Sequence, residues 1–180
     1  MRKLTTLFLG LGVLLAGTLT PAEAQRQRVS PRESVSATIG GKKVTIEYGR
    51  PYVKGRNVWD PNASIAPFGK VWRTGADEAT VLTTEGDLML GSLHVPAGTY
   101  ALFTIPGEEE WTLIINKVAK QWGAFKYDAG QDLGRVKMKA AKQSSSTEQF
   151  TIELSATGGA NGVLKLTWDK LSASIPVMMH

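Results

Sequence analysis

Lys70, Arg73, Asp77 and Glu78 fall within nine residues of one another, in the run Pro67-Phe68-Gly69-Lys70-Val71-Trp72-Arg73-Thr74-Gly75-Ala76-Asp77-Glu78. Two cations and two carboxylates at this spacing suggest two chemistries. A guanidinium clamps a carboxylate or phosphate through paired hydrogen bonds, which makes Arg73 a binding residue. Alternatively Asp77 or Glu78 transfers a proton in a hydrolysis while Arg73 stabilises the developing negative charge. Against both stands a plain structural role, in which Arg73 pairs with Asp77 and braces a loop. In an extended chain leaving Gly75, Asp77 and Glu78 point to opposite sides, which makes them poor partners for acid–base work and favours binding over catalysis.

Further candidates precede and follow this run. Arg50 and Arg56 lie on a long segment just upstream, and Trp59, Trp72, Trp122 and Tyr127 lie on or beside stretches without strand pattern. Sugar rings stack on exposed aromatics while charged groups hold their hydroxyls, so a saccharide or small polar ligand fits this composition. The competing role for each indole is to cap the end of the fold. The expected site therefore consists of Arg50, Arg56, Lys70, Trp72, Arg73, Asp77 and Trp122, with Trp72 and Trp122 as its aromatic faces.

Other chemistries find less support. His94 and His180 stand 86 positions apart, and His94 precedes Val95-Pro96 in an expected surface turn, so no metal-ligand spacing exists. Asp128 and Asp132 could join Asp60 or Asp87 around calcium, but no EF-hand pattern is present. Ser64 and Ser92 lack the Gly-x-Ser-x-Gly context of an esterase nucleophile. Gly10-Leu11-Gly12 lies in the apolar leader and lacks the rest of a nucleotide-binding loop. No cofactor is expected.

The chain has 180 residues and no cysteine, which excludes disulfides, thiolate chemistry and a lipoprotein anchor. Arg2 and Lys3, an apolar run over residues 4–19 and the small-residue site Ala22-Glu23-Ala24 form a secretory signal. Cleavage after Ala24 is expected, leaving no membrane span and placing the protein in the periplasm or outside the cell. Two of the 21 cations and one of the 16 carboxylates leave with the signal, so the mature chain is mildly basic. Charge alternates in blocks: residues 26–56 carry eight cations against two carboxylates, 57–116 two against eight, and 117–142 seven against two. Such blocks are solvated faces, and without cations interleaved with stacking aromatics a nucleic-acid partner is not expected.

The elements that must position these residues are strands. Residues 25–34 read as a mobile leader to a single domain spanning 35–180. Val44, Ile46 and Tyr48 alternate with polar residues and pair with 35–39 through Gly40-Gly41. Strands follow at 79–84, 88–90, 100–105 and 111–116, then around Val136–Met138, Phe150–Leu154, Leu164–Trp168 and 171–177, separated by Gly- and Pro-rich turns. Two segments, 49–66 and 117–134, are too long for simple connectors and are expected to be functional loops. Nine or ten strands without helical periodicity predict an all-β antiparallel sandwich of jelly-roll type.

Ser30-Pro31, Gly49-Arg50-Pro51, Lys54-Gly55-Arg56, the run from Pro67 to Ala76, Pro96-Ala97-Gly98-Thr99-Tyr100, Phe103-Thr104-Ile105-Pro106 and Gln121-Trp122-Gly123 occur together in this order. In this the chain resembles the bacterial domain of unknown function 2911, from about Ser30 to Val177. The resemblance implies export and a single β-rich domain, and it brings no activity, substrate or catalytic residue with it. The functional expectation is thus a non-catalytic exported protein that binds a small polar, anionic or saccharide ligand in a cleft built by the two long loops. The alternatives are a hydrolase using Asp77 or Glu78 with Arg73, and an envelope-structural or partner-binding module with an exposed apolar patch.

Overall fold

A computed structural model describes residues 28–63 and 65–180. The expected signal sequence lies outside the described residues. Over the described residues the chain is all-β: nine strands form one antiparallel sheet, interrupted by loops and a 3₁₀ turn at Ala129–Gln131. The strands are β1 (Arg32–Ile39), β2 (Lys42–Gly49), β3 (Thr80–Thr84), β4 (Leu88–Leu90), β5 (Leu93–Val95), β6 (Gly98–Ile105), β7 (Glu110–Asn116), β8 (Asp132–Gly158) and β9 (Asn161–Met179). Their order across the sheet is β1-β2-β3-β6-β7-β8-β9-β4-β5.

Alternation decides the buried face. Val44, Ile46 and Tyr48 of β2, Leu82 of β3 and Leu102 of β6 turn inward, as do Trp111, Leu113 and Ile115 of β7. The sheet folds over on itself because β8 and β9 are long and bend together. The first part of β8 pairs with β7, whereas its second part lies beside β1, and the Ile152 amide donates to the Tyr48 hydroxyl at 3.0 Å. The two halves thus enclose one core in sandwich fashion.

The bend has a local cause. Between Lys142↔Leu171 and Thr147↔Asp169, β8 spends five residues where β9 spends two, and Asp169 takes a left-handed backbone with φ 47°. A bulge of this kind changes which face a strand presents. Inward residues of β9 accordingly switch from Leu164, Leu166 and Trp168 to Leu171, Ala173, Ile175 and Val177. The β8 residues freed from β9 pair elsewhere: the Val53 amide donates to the Glu148 carbonyl at 2.8 Å, and the Phe150 amide to the Pro51 carbonyl at 2.9 Å.

Three elements depart from the sequence expectation. Strand β1 starts at Arg32, so residues 32–34 of the expected leader belong to the sheet. Residues 93–95 form the short β5, held by β4. The four segments expected after residue 134 are two continuous strands.

Candidate functional site

The first long loop, residues 50–79, is amphipathic in three dimensions. One side sends Val53, Val58, Trp59, Ala66 and Trp72 into the core. Trp72 is 2% exposed and stacks on Trp168 at 5.7 Å between ring centres, with Trp111 and Phe150 edge-on to it. It is a plug of the sandwich interior, contrary to the expectation of an aromatic binding face, and it borders the second basin described below with almost no exposed surface. Trp59 is buried in the same way, among Phe68, Trp111 and Trp168.

The other side of this loop faces a furrow of two basins, of which only the second meets the second long loop, at Ala124 and Phe125. One basin, about 250 Å³, is lined by Tyr52, Lys54, Arg56, Arg73 and Asp77 among others. An adjoining basin, about 260 Å³, is lined by Pro67, Lys70, Val71, Arg73 and Phe125. Ile65 and Arg73 belong to both. Of the expected set, Arg56 and Asp77 thus line the first basin, Lys70 and Trp72 the second, and Arg73 both. Lys54, Tyr52 and the 83% exposed Phe125 join them, which residue type alone did not single out. The available signals were Lys54 beside Gly55 in a turn, and a phenylalanine in an otherwise polar loop.

The backbone around Arg73 is fixed. The Thr80 amide donates to the Arg73 carbonyl at 3.2 Å, and the Thr80 hydroxyl to the Thr74 carbonyl at 2.6 Å. Thr74 and Asp77 both hold left-handed conformations, φ 56° and 61°, as does Lys54 at 48°. Such residues cost roughly 1–2 kcal/mol each unless their surroundings compensate. For Thr74 the compensation is visible, a buried hydroxyl contact with Thr104 at 3.0 Å. The Arg73 side chain lies against Gly123, where a Cβ would stand 2.8 Å from the guanidinium.

Charge in the furrow is unbalanced. Among the described residues, Lys54, Arg56, Lys70 and Arg73 have no carboxylate within 4 Å. Arg56 is anchored by donating to the Val53 carbonyl at 2.9 Å and to the Tyr52 carbonyl. Arg73 Nε is buried and has no hydrogen-bond partner. A desolvated guanidinium N–H without an acceptor is costly to the protein, and because Nε is closed to solvent an anion in the basins would have to meet the other donors of the fork.

Arg50 does not take part. Its guanidinium donates to the Phe150 carbonyl at 2.9 Å, to Thr151 Oγ1 at 2.8 Å and to Glu33, tying the end of β2 to β8. Trp122 is 59% exposed but opens on a different side, in a groove of about 290 Å³ with Arg32, Glu78, Ala79 and Val81. Asp77 and Glu78 do diverge, the former to the furrow and the latter to this groove, through the positive φ at Asp77.

The second loop is braced by its own network. The Tyr127 hydroxyl donates to Asp132 at 2.6 Å and accepts from Arg135 at 2.7 Å, while Asn116 donates to Asp132 at 2.9 Å. Burial, then the Asp132 carboxylate, push the Tyr127 hydroxyl up to about 12. Asp132 is thus spent on the loop, and among the described residues no group of three or more acidic or histidine side chains is arranged for a metal. His94 is exposed and meets Asp87 at 3.2 Å, with the His180 ring 6.2 Å away.

With this geometry in hand, comparison gives the lineage. The family model described as protein of unknown function (DUF2911) matches residues 30–177. The chain belongs to this family. No curated protein and no solved structure matches it. The match to DUF2911 spans every residue of the furrow and of the Trp122 groove, apart from Val29 at the furrow's edge.

In this DUF2911 chain Glu78 is a poor proton donor. Two hydrogen bonds from Arg28, at 2.6 and 2.8 Å, hold its carboxyl down at about 2, with Arg32 at 3.5 Å adding to the effect. Its folded pKa lies below the ordinary 4.5, so the stabilisation is complete above pH ~4.5 and disappears as pH falls towards 2. Glu78→Gln is expected to be less stable than the parent at neutral pH by no more than ~1 kcal/mol, since the pair is partly solvated. Urea midpoints at matched pH should converge as pH approaches 2; a constant gap would show that the contribution is not electrostatic.

Proposed function

We propose that this protein is an exported binding protein whose two long loops hold a small anionic ligand, carrying a carboxylate or phosphate, against Arg73. The observation that carries the reading is Arg73 lining both basins together with Lys54, Arg56 and Lys70, none of the four having a carboxylate within 4 Å among the described residues. Arg56, Lys54 and Lys70 surround it, and Asp77 is the one carboxylate among the lining residues. A planar fork of N–H donors suits a carboxylate or phosphate in two-point contact. Asp77 accepts a hydroxyl or amine on the same ligand, so a hydroxylated acid such as a sugar acid or sugar phosphate fits both signs of charge.

Thermal denaturation with orthophosphate, citrate, galacturonate and glucose 6-phosphate tests this. A ligand at 100 times its dissociation constant adds about 2.7 kcal/mol, which for a chain of this size raises Tm by roughly 5–11 °C. The same titration on Arg73→Met should show no shift. A panel without any shift, or a shift that survives Arg73→Met, would sink the proposal.

A further inference from the structure

Outside the furrow, the groove between Trp122 and Arg32 has a different chemistry. Glu78 and Trp122 are paired in an isolated antiparallel bridge. Directly opposed residues send their side chains to the same face, with Cβ atoms about 5 Å apart. The bridge is secured on both flanks: the Ala79 amide donates to the Gln121 carbonyl at 3.0 Å, and the Gly123 amide to the Asp77 carbonyl at 3.0 Å. Gln121 is itself locked, donating from Nε2 to the Val118 carbonyl at 2.7 Å. Indole and carboxylate therefore stand side by side on a rigid support.

Four of the five tryptophans are buried, and only Trp122 keeps its ring in water. The floor beneath it is small and apolar, Ala79 and Val81. The opposite wall is polar. Glu78 accepts from Arg28, and Arg32 sits at 3.5 Å from Glu78 and 3.8 Å from Glu47, distances that leave guanidinium donors with capacity to spare. Charge distinguishes this groove from the furrow. Here Glu78 and Glu47 offset Arg28 and Arg32, which among the described residues leaves Lys120 as the one unpaired cation of the groove against four in the furrow, so a strong anion is drawn to the furrow and a cation finds no uncompensated partner here. A cation over the indole would compete with two arginines for Glu78. What remains complementary is a neutral molecule with an apolar face for the indole and hydroxyls for a fixed donor–acceptor edge.

We infer that the groove between the Trp122 indole and the Arg32–Glu78 pair is a separate saccharide site, taking one pyranose ring of a neutral glycan. The C–H face of the ring lies on the indole, its hydroxyls meet Glu78 and Arg32, and the neighbouring sugar units run out into solvent. The site does not depend on the furrow.

Because the other indoles are buried, a change in tryptophan emission on adding sugar reports Trp122. Neutral oligosaccharides of the cello-, xylo-, manno- and chito- series are titrated against the full chain, followed by emission and by saturation-transfer NMR. At least one series is expected to give a saturable response, weakened about tenfold or more by Trp122→Ala and less by Trp122→Phe, which keeps an aromatic face. Glu78→Gln should weaken the same series, and Lys70→Ala, at an exposed position of the furrow, should leave it unchanged. No saturable response to any series would overturn the inference, and so would binding that survives Trp122→Ala. Loss of sugar binding in Lys70→Ala would place the sugar in the furrow and overturn it as well. Emission that follows protein concentration and not sugar would mark the indole as a contact between protein molecules, which is equally incompatible with a saccharide site there.

Discussion

Trp72→Ala is expected to lower the free energy of unfolding by ~3–5 kcal/mol, the range for removing a buried indole. Its ring is stacked on Trp168 and meets Phe150, Trp111 and Trp59 at 5.0 to 6.4 Å between centres. The vacated volume cannot close easily. The Trp72 amide and carbonyl both pair with Thr104, at 2.7 and 3.0 Å, so the backbone is held at its present distance from β6. In a chain of this size the loss corresponds to a fall in Tm of roughly 6–20 °C. Trp122→Ala, at an exposed position, should stay within about 0.5 kcal/mol of the parent. Guanidinium unfolding of both variants separates the cases, and a Trp72 variant within about 1 kcal/mol of the parent would refute its role as a plug.

The second large effect is expected at Gly49, the last residue of β2. A Cβ there would lie 2.3 Å from the Ala76 carbonyl oxygen and 3.0 Å from its carbon. Both are backbone atoms, with no flexible side chain to give way. The Ala76 amide also donates to the Gly49 carbonyl at 3.2 Å, so the two segments are locked against each other. Gly49→Ala must push the turn that carries Arg73 and Asp77 away from β2, at a cost of ~2–3 kcal/mol by analogy with overpacked cores. Since that turn forms the furrow floor, anion binding should weaken together with stability. Calorimetric titration alongside denaturation measures both, and unchanged values would show that the contact relaxes without consequence.

The parts of the fold that could be read from the sequence are those governed by local alternation. Strands β2 and β3 bury alternate side chains, so polarity marks them within a residue or two, while β6 and β7 bury both faces and are marked by short apolar runs between turn residues. The continuous β8 and β9 were not legible, because the irregular register near Asp169 interrupts the pattern and reads as two separate strands. Strand β5 is three residues long and exists through its pairing with β4. At the site, the density of charge around Arg73 was visible, but the sharing out of partners was not. Arg50 looked as available as Arg73, and only tertiary structure gives it Phe150, Thr151 and Glu33. Trp72 and Trp122 both lie on loops, and nothing local shows that one fills the interior while the other stays in water. The bridge between Glu78 and Trp122 joins residues 44 positions apart, so the groove it builds has no trace in either stretch alone.

The β4–β5 hairpin, encoded between β3 and β6, docks at the opposite margin of the sheet, with Leu88 beside Met179 and Leu90 beside Val177. Its landing strand, β9, is synthesised after the other eight. Until β9 is in place, Leu88, Leu90 and Val95, all buried in the finished protein, have no surface to cover them. Closing so large a loop is entropically slow, and β6, β7 and β8 can zip up through consecutive hairpins in the meantime. The order of assembly is thereby set by topology, with a short apolar hairpin waiting for β9, and apolar surface open to aggregation persists until that docking step.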